Sequence, residues 1–432
     1  LRFSFYLDVL HYSWLITGAM LALVWLDRVR DALHGRDIAD IANPEWDRRD
    51  LPLPKLSIII PARNEGSHLE AALRSVLALD YPDFEVIAID DRSTDDTAAV
   101  MEKVAAARHE ADVVPAETAS SAATPVRSVS GPALGRRPGQ GAQSGSSCAL
   151  QIVHVTELPP GWLGKPHAMY VGAQPATGDW LLFTDADVRF RPDALRRAIV
   201  YAENVRADHL LVFPSHELHS VGERMMFTAF TLLFVFGHKP WRVHDPKAKD
   251  FLGFGPFNLI RRSAYEQIGT ARALRMEVIE DMKLGKLVKD HGFSQRVAHG
   301  PGLIPWRWFD GTLGIVRVLK KNLFASMNYR YEKALGACFL LACLAIFPFI
   351  GAVLAPGWTR APFFIAIAAI CALYVGISRR SEISPFYFIL HPISNALLIY
   401  AMLYSMAHAV RHGGVIWRGT LYRLDELRKG LV

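Results

Sequence analysis

Cysteine is scarce in this chain. Its 432 residues include four, Cys148, Cys338, Cys343 and Cys371, and the last three fall in apolar segments. No Cys-x-x-Cys pair and no Cys/His ligand spacing occurs, which argues against a disulfide framework or a structural zinc site. The cysteines read as small buried residues. A basic stripe within the central part is also missing, although the net charge is +6, so the excess is not a nucleic-acid footprint. Arginines instead border apolar runs: Arg28 and Arg30, Arg379 and Arg380, then Arg411, Arg418 and Arg423. That is the basic bias of cytoplasmic membrane flanks, where an anionic leaflet attracts such side chains. There is no internal repeat. No small-residue cleavage site follows the first apolar run, which argues against a secretory signal peptide.

Apolar residues are plentiful, at 51%, but unevenly spread. Residues 9–26, about 18 in a row, are long enough to span a bilayer. Residues 334–354, 361–377 and 386–404 are three further candidate spans, the last interrupted by His391 and Pro392. They carry few ionisable groups, which weakens any reading as a transporter or channel. Residues 225–236 are too short for a comfortable span and read either as a core helix or as a segment lying in the membrane surface. The expected layout is a membrane helix (1–27), a linker (28–53), a soluble domain (54–330), C-terminal membrane helices (331–410) and a basic tail (411–432). With the domain cytoplasmic, three later spans would leave the tail outside, against the positive-inside rule. One apolar segment must then be re-entrant, or the stretch around Met225 must dip into the bilayer.

The soluble domain alternates strand and helix. Short apolar runs at 56–60, 84–89, 151–155 and 180–184 read as buried strands. Residues 67–79, 94–107, 165–172 and 192–202 read as helices, with Thr94 or Asp95 near one start. Residues 115–147, rich in Ala, Ser, Gly, Pro and Arg, read as a flexible insertion. Such alternation predicts an α/β fold with a mostly parallel, Rossmann-like sheet. Sites in these sheets lie at the carboxyl ends of strands. Asp90 and Asp91 follow one strand there; Asp185 and Asp187 follow another. Glu280 and Asp281 come later, in a polar segment. Carboxylates recruit Mg²⁺ or Mn²⁺, which clamps phosphate oxygens, and a further carboxylate can take a proton from a hydroxyl.

Five segments together resemble family 2 glycosyltransferases of the GT-A fold. They are Ile58-Ile59-Ile60-Pro61-Ala62-Arg63-Asn64-Glu65, Asp90-Asp91-Arg92-Ser93-Thr94-Asp95, Gly164-Lys165-Pro166-His167-Ala168-Met169, Asp185-Ala186-Asp187 and Glu280-Asp281. The narrower likeness, through Trp162-Leu163-Gly164-Lys165-Pro166 and the membrane layout, is to hopanoid-associated and ceramide glucosyltransferase-like enzymes. The resemblance implies a nucleotide-sugar donor, a UDP-sugar being favoured, held by Pro61, Arg63, Glu65, Asp90, Asp91, Lys165, Asp185 and Asp187. It implies Asp281 as catalytic base with Glu280 as its acidic partner, and inversion at the anomeric carbon. It also implies a divalent metal, Mg²⁺ or Mn²⁺, on Asp187 and Asp185, with His299 a further candidate ligand.

One departure bears on the product. The Q/R-x-x-R-W motif of processive synthases has no counterpart: the corresponding stretch reads Arg317-Val318-Leu319-Lys320-Lys321, and Trp306-Arg307-Trp308 has the wrong order. The expectation is transfer of a single sugar to a lipid or lipid-linked acceptor, by an integral protein of a bacterial inner membrane whose catalytic domain is cytoplasmic. A processive polysaccharide synthase and a catalytically silent nucleotide-sugar-binding scaffold are the alternatives.

Overall fold

The computed structural model describes residues 2–113, 149–381 and 383–432. The expected insertion at 115–147 and Cys148 lie outside the described residues. A seven-stranded sheet forms the centre, in the order β3-β2-β1-β4-β7-β5-β8. The strands are β1 (Leu56–Ala62), β2 (Phe84–Asp91), β3 (Ala149–Val155), β4 (Trp180–Phe183), β5 (His209–Phe213), a short β6 (Ser215–His216), β7 (Asn258–Arg261) and β8 (Gln295–His299). β1 to β4 are mutually parallel where they pair; β7 runs antiparallel between β4 and β5, and β5 is parallel to β8. The sheet is thus α/β and mostly parallel, as the alternation predicts. Helices cover both faces, so both sides of β1 are apolar and its residues Leu56, Ile58, Ile59 and Ile60 are fully buried.

The chain goes from β1 outward to β2 and β3, then returns to β4 on the other side of β1. That reversal is a topological switch point, where the strand ends diverge and leave a crevice. The crevice opens at Arg63 to Gly66 and at Asp185 to Asp187. Side chains lock the loops beyond β1 and β2 together: Glu65 N donates to Thr97 Oγ1 at 2.8 Å and Thr94 N to Asn64 Oδ1 at 2.8 Å. Asp95 accepts from Thr97 N at the start of helix Thr97–Val113, as its capping chemistry favours.

The expected linker is instead packed structure. The first helix runs Arg2–Leu33, and beyond it Asp40 bridges to β8 at His299 while Ile41 is buried in the main core. Asp47 holds Arg196 and Arg197, both nearly inaccessible, at 2.6 and 3.1 Å. A sequence polar enough to read as a linker turns out to carry the counter-charge for two buried guanidinium groups.

Among the described residues four helices are long and apolar enough to cross a membrane: Val9–Leu33, Tyr331–Leu354, Gly357–Ser381 and Pro385–Arg411. Their courses differ. The first ends at the domain, where Lys239 pairs with Asp31 at 2.7 Å. Trp14 packs on Phe347 and Phe363, about 25 Å farther along that helix at its rise per residue. The chain from Tyr331 therefore runs away from the domain and the next helix returns, Arg380 reaching the Gly35 carbonyl. Pro348 cannot donate to the carbonyl four residues earlier; that carbonyl, Leu344, accepts from Trp25 Nε1 at 2.9 Å instead. The last apolar helix starts and ends beside the domain. It lies along helix Gly314–Ser326, with Ser405 Oγ donating to Lys320 O and accepting from Phe324 N. Ile393, Tyr400 and Val410 on its far side are exposed. Residues 225–236 belong to helix Val221–His238, opened by a Ser220/Glu223 capping box. Its first half is buried against the last apolar helix and helix Gly314–Ser326, the core-helix alternative.

Replacing Asp47 with Ala is expected to lower stability by about 2 kcal/mol and the melting midpoint by about 4 °C. Asp80 and Asp193 remain as partial counter-charges, so the loss stays below that of a fully orphaned ion. A thermal melt of the purified protein checks this; an unchanged midpoint would return residues 38–53 to the role of a linker.

Candidate active site

The switch-point crevice collects carboxylates from three places in the chain. Glu65 follows β1, Asp185 and Asp187 follow β4, and Glu280 and Asp281 open helix Glu280–Asp290. Lys165, at the start of helix Gly164–Ala173, joins them: its Nζ lies 2.6 Å from Asp185 Oδ1 and 2.6 Å from Glu280 Oε1. A cation at a helix N-terminus opposes the helix dipole, at a cost of about 0.3–1 kcal/mol. Two close ionic hydrogen bonds outweigh that. Burial works against the Lys165 charge, but Asp185, Glu280 and Asp281 raise its pKa well above the ordinary value.

Asp281 is fixed on both oxygens. Oδ2 accepts from Gly255 N at 3.0 Å and Oδ1 from Met282 N at 2.8 Å. Burial and then the Glu280 charge push its carboxyl up to about 6, against the opposing pull of Lys165. Asp187 accepts from Trp306 Nε1 at 3.2 Å. Burial, followed by the charges of Asp185 and Glu65, pushes it up to about 7. The segment 253–256, Gly-Phe-Gly-Pro, backs this cluster at very short range. A Cβ on Gly253 would stand 1.7 Å from the Asp281 carbonyl, and one on Gly255 2.4 Å from Asp185 Oδ2. Only glycine lets that backbone close behind the carboxylates.

At the end of β2, Asp91 is gripped by Arg92 at 2.8 Å and faces Arg63 at 3.9 Å. Arg63 Nε is buried without a hydrogen-bond partner among the described residues, a group whose desolvation calls for a ligand or water. Asp90, one residue earlier and on the opposite face of the strand, turns away from the crevice. It accepts from Ser93 N and meets His154 at 3.3 Å, which holds the loop rather than a ligand. Pro61, Arg63, Glu65, Asp91, Lys165, Asp185, Asp187, Glu280 and Asp281 all line one cavity of about 2110 Å³. His299 borders it too, but the ring stacks on Phe213 at 5.1 Å and senses Arg380 rather than a carboxylate. Among the described residues no three His, Cys, Asp or Glu side chains converge as a metal site, so His299 is not brought to Asp185 and Asp187. Two hard carboxylate oxygens nonetheless suit Mg²⁺ or Mn²⁺, which take one or two protein carboxylates and complete their shells with substrate phosphate and water. The donor set fits such an ion.

The cavity continues past these charges into apolar surroundings. Phe227, Phe230, Trp306 and Trp308 line it as well, as do Leu341, Leu373, Gly376, Leu398 and Met402 of the apolar helices. Charged chemistry and the candidate membrane helices therefore share one space.

Residues 57–121 and 144–269 match the family described as Glycosyl transferase family 2. The matched segment is similar to a family 2 glycosyltransferase domain. Its mostly parallel sheet, with the site at the switch point, is the GT-A arrangement. The 4,4'-diaponeurosporenoate glycosyltransferase of Staphylococcus aureus (strain USA300) is 24% identical over 383 residues, covering 86% of this chain and 89% of that protein. Among solved structures, the mannosyltransferase PcManGT from Pyrobaculum calidifontis, in complex with GDP-Man and Mn²⁺, is similar at 16% identity with a TM-score of 0.48, covering 93% of this chain and 98% of that one. S. aureus TarS with UDP gives 16% identity and a TM-score of 0.35, covering 84% and 93%.

Sequence reasoning missed Trp306 as the partner of Asp187 and the two glycines behind the carboxylates, whereas Lys321 stands in a basic stretch, with Arg317 and Lys320, that the sequence sets against diphosphate or anionic lipid headgroups. Burial lowers the Lys321 pKa despite the neighbouring Glu280 and Asp281. Only the Gly-x-Gly spacing ahead of β7 offered a local signal for any of the missed residues.

Gly253→Ala is expected to displace Asp281 and reduce sugar transfer by about 100-fold. Gly237→Ala, where a Cβ meets nothing within 4 Å, is expected to leave it unchanged. Initial rates on the two variants check the pair; equal rates would contradict a close-packed backbone behind Asp281.

Proposed function

We propose that this glycosyltransferase moves one sugar from a nucleotide-sugar donor to a lipid or lipid-linked acceptor, with inversion at the anomeric carbon. The observation that carries the reading is the single cavity running from Lys165, Asp185, Asp187 and Asp281 to apolar side chains of the candidate membrane helices. A relative named for 4,4'-diaponeurosporenoate, a lipid-like acceptor, supports the same direction. Hexosyl transfer from a UDP-sugar and a hopanoid- or ceramide-like acceptor are the specific form the reading takes. Absence of a Q/R-x-x-R-W motif along Arg317 to Lys321 favours a single transfer over polymer growth.

In this reading Arg63 and Asp91 border the nucleoside end of the site, and Lys165 lies toward the diphosphate. A divalent ion bound through Asp187 and Asp185 would offset diphosphate charge. Asp281 takes the proton of the acceptor hydroxyl. The freed oxygen forms its bond to the anomeric carbon from the face opposite the phosphate, the carbon–phosphate-oxygen bond breaks, and its electron pair leaves with the nucleoside diphosphate. The backbone bonds from Gly255 and Met282 hold the Asp281 carboxylate in place. A cytoplasmic domain in a bacterial inner membrane fits the course of the helices. The segments 331–354 and 357–381 go out and back, the last apolar helix lies in the membrane surface, and the arginine-bearing tail stays on the side of the domain. That course relieves the conflict with the positive-inside rule.

Asp281→Asn is expected to cut turnover by about 10³-fold with donor affinity changed less than about twofold, read by single-turnover transfer and by calorimetry. Retained turnover would remove Asp281 from the base role. The base works only when ionised, so kcat/KM should rise with pH through about 6 and level off above it. Lys165→Met removes a charge that favours the ionised form, so this limb should move to higher pH. A limb that stays in place, or a shift to lower pH, would contradict the assignment.

A further inference from the structure

The basic tail expected at 411–432 is a folded strap over the donor end of the cavity. Strands β10 (Gly414–Trp417) and β11 (Thr420–Arg423), which follow a short β9 (Pro305–Trp306) in chain order, pair antiparallel with Trp417 opposite Thr420. The two residues between them, Arg418 at φ 48° and Gly419 at φ 79°, both adopt left-handed backbone, the tight hairpin connection that matches strand twist. Glycine accepts that conformation freely; arginine does so at a cost. A long cation thus stands at the hairpin tip, where Asn or Gly would be easier.

The base of the strap is firmly tied to the catalytic domain. The Tyr422 hydroxyl accepts from Gly164 N, the residue before Lys165, at 3.3 Å. Tyr422, Leu424 and Leu427 are buried in one cluster with Leu163 and Phe324. At the chain end, Val432 N donates to Glu277 and Lys283 Nζ donates to Val432 O, each at 2.5 Å. The tip reaches the site itself. Lys321 Nζ sits 4.2 Å from the Trp417 ring centre. The Arg418 guanidinium forms an ion pair with Glu65. Trp417, Arg418 and Tyr422 line the same cavity as Lys165 and Asp185.

Charge balance gives the tip a role. A nucleoside diphosphate entering beside Glu65, Asp185 and Asp187 meets carboxylates first. Lys165 is already bonded to Asp185 and Glu280. Arg418 is 44% exposed and held by one carboxylate, a pairing weak enough to exchange. A guanidinium also matches phosphate oxygens in a bidentate fork better than an ammonium does.

We propose that Arg418 is a donor-binding residue: it exchanges its bond to Glu65 for the donor's diphosphate oxygens, and the C-terminal strap forms the last wall of the donor site. This rests on the nucleotide-sugar reading above.

The test is calorimetric binding of UDP and GDP, and of uridine and guanosine, to full-length protein in detergent with Mn²⁺ present. For the diphosphate that binds, Arg418→Ala should weaken affinity by tenfold or more while the matching nucleoside changes less than about twofold, with Arg418→Lys in between. Glu65→Gln should tighten diphosphate binding more in the wild-type background than in Arg418→Ala, where it relieves only the direct repulsion between Glu65 and the diphosphate; an equal gain in both backgrounds overturns the exchange. Unchanged diphosphate affinity in Arg418→Ala, or equal losses for nucleoside and diphosphate, overturns the role of Arg418 alone. Wild-type protein that binds neither diphosphate overturns the donor reading, and this proposal with it.

Discussion

The site depends on one ammonium group. Glu65, Asp185, Asp187, Glu280 and Asp281 come from separate stretches of chain yet share a cavity, and like charges that close resist assembly. Lys165 is the cation in direct contact with two of them. Its helix is held by Leu163, which donates its N–H to the Arg275 carbonyl, and by the strap residue Tyr422. Sheet, strap and helix therefore meet at the residue that makes the carboxylate cluster tolerable.

The arrangement separates two tasks. In the proposed reading Asp281, bonded twice to backbone and raised toward neutrality, exchanges a proton. Asp185 and Asp187 lie across the cluster, where Trp306 orients one and Lys165 the other. Farther along the chain, helix Gly314–Ser326 packs along an apolar helix, which in the proposed reading sets the catalytic end next to surfaces suited to lipid.

Much of this was legible in the sequence because the signals are local. The apolar runs of β1 and β2 and the acidic residues just past the strands specify the sheet, the switch point and most of the site. What was illegible depends on contacts between distant segments. Asp90 and Asp91 look alike in sequence, but strand alternation turns Asp90 toward His154 and Asp91 toward the cavity. Residues 28–53 look like a linker because Asp47 is polar, and only the fold reveals that it faces Arg196 and Arg197. His299 has the right chemistry for a metal, yet the register of β8 stacks it on Phe213. The tail offered only Trp-Arg-Gly-Thr as a turn signal, and nothing in it pointed to Glu65, 353 positions away.

The central claim is that a donor end and a lipid end share one cavity and meet at Asp281. Its most direct measurement is the mass of the product formed when membranes containing the protein are given isotopically labelled nucleotide sugars and the organic-soluble fraction is analysed. The account predicts a lipid carrying one labelled sugar. Label found only in a water-soluble or polymeric product would contradict it.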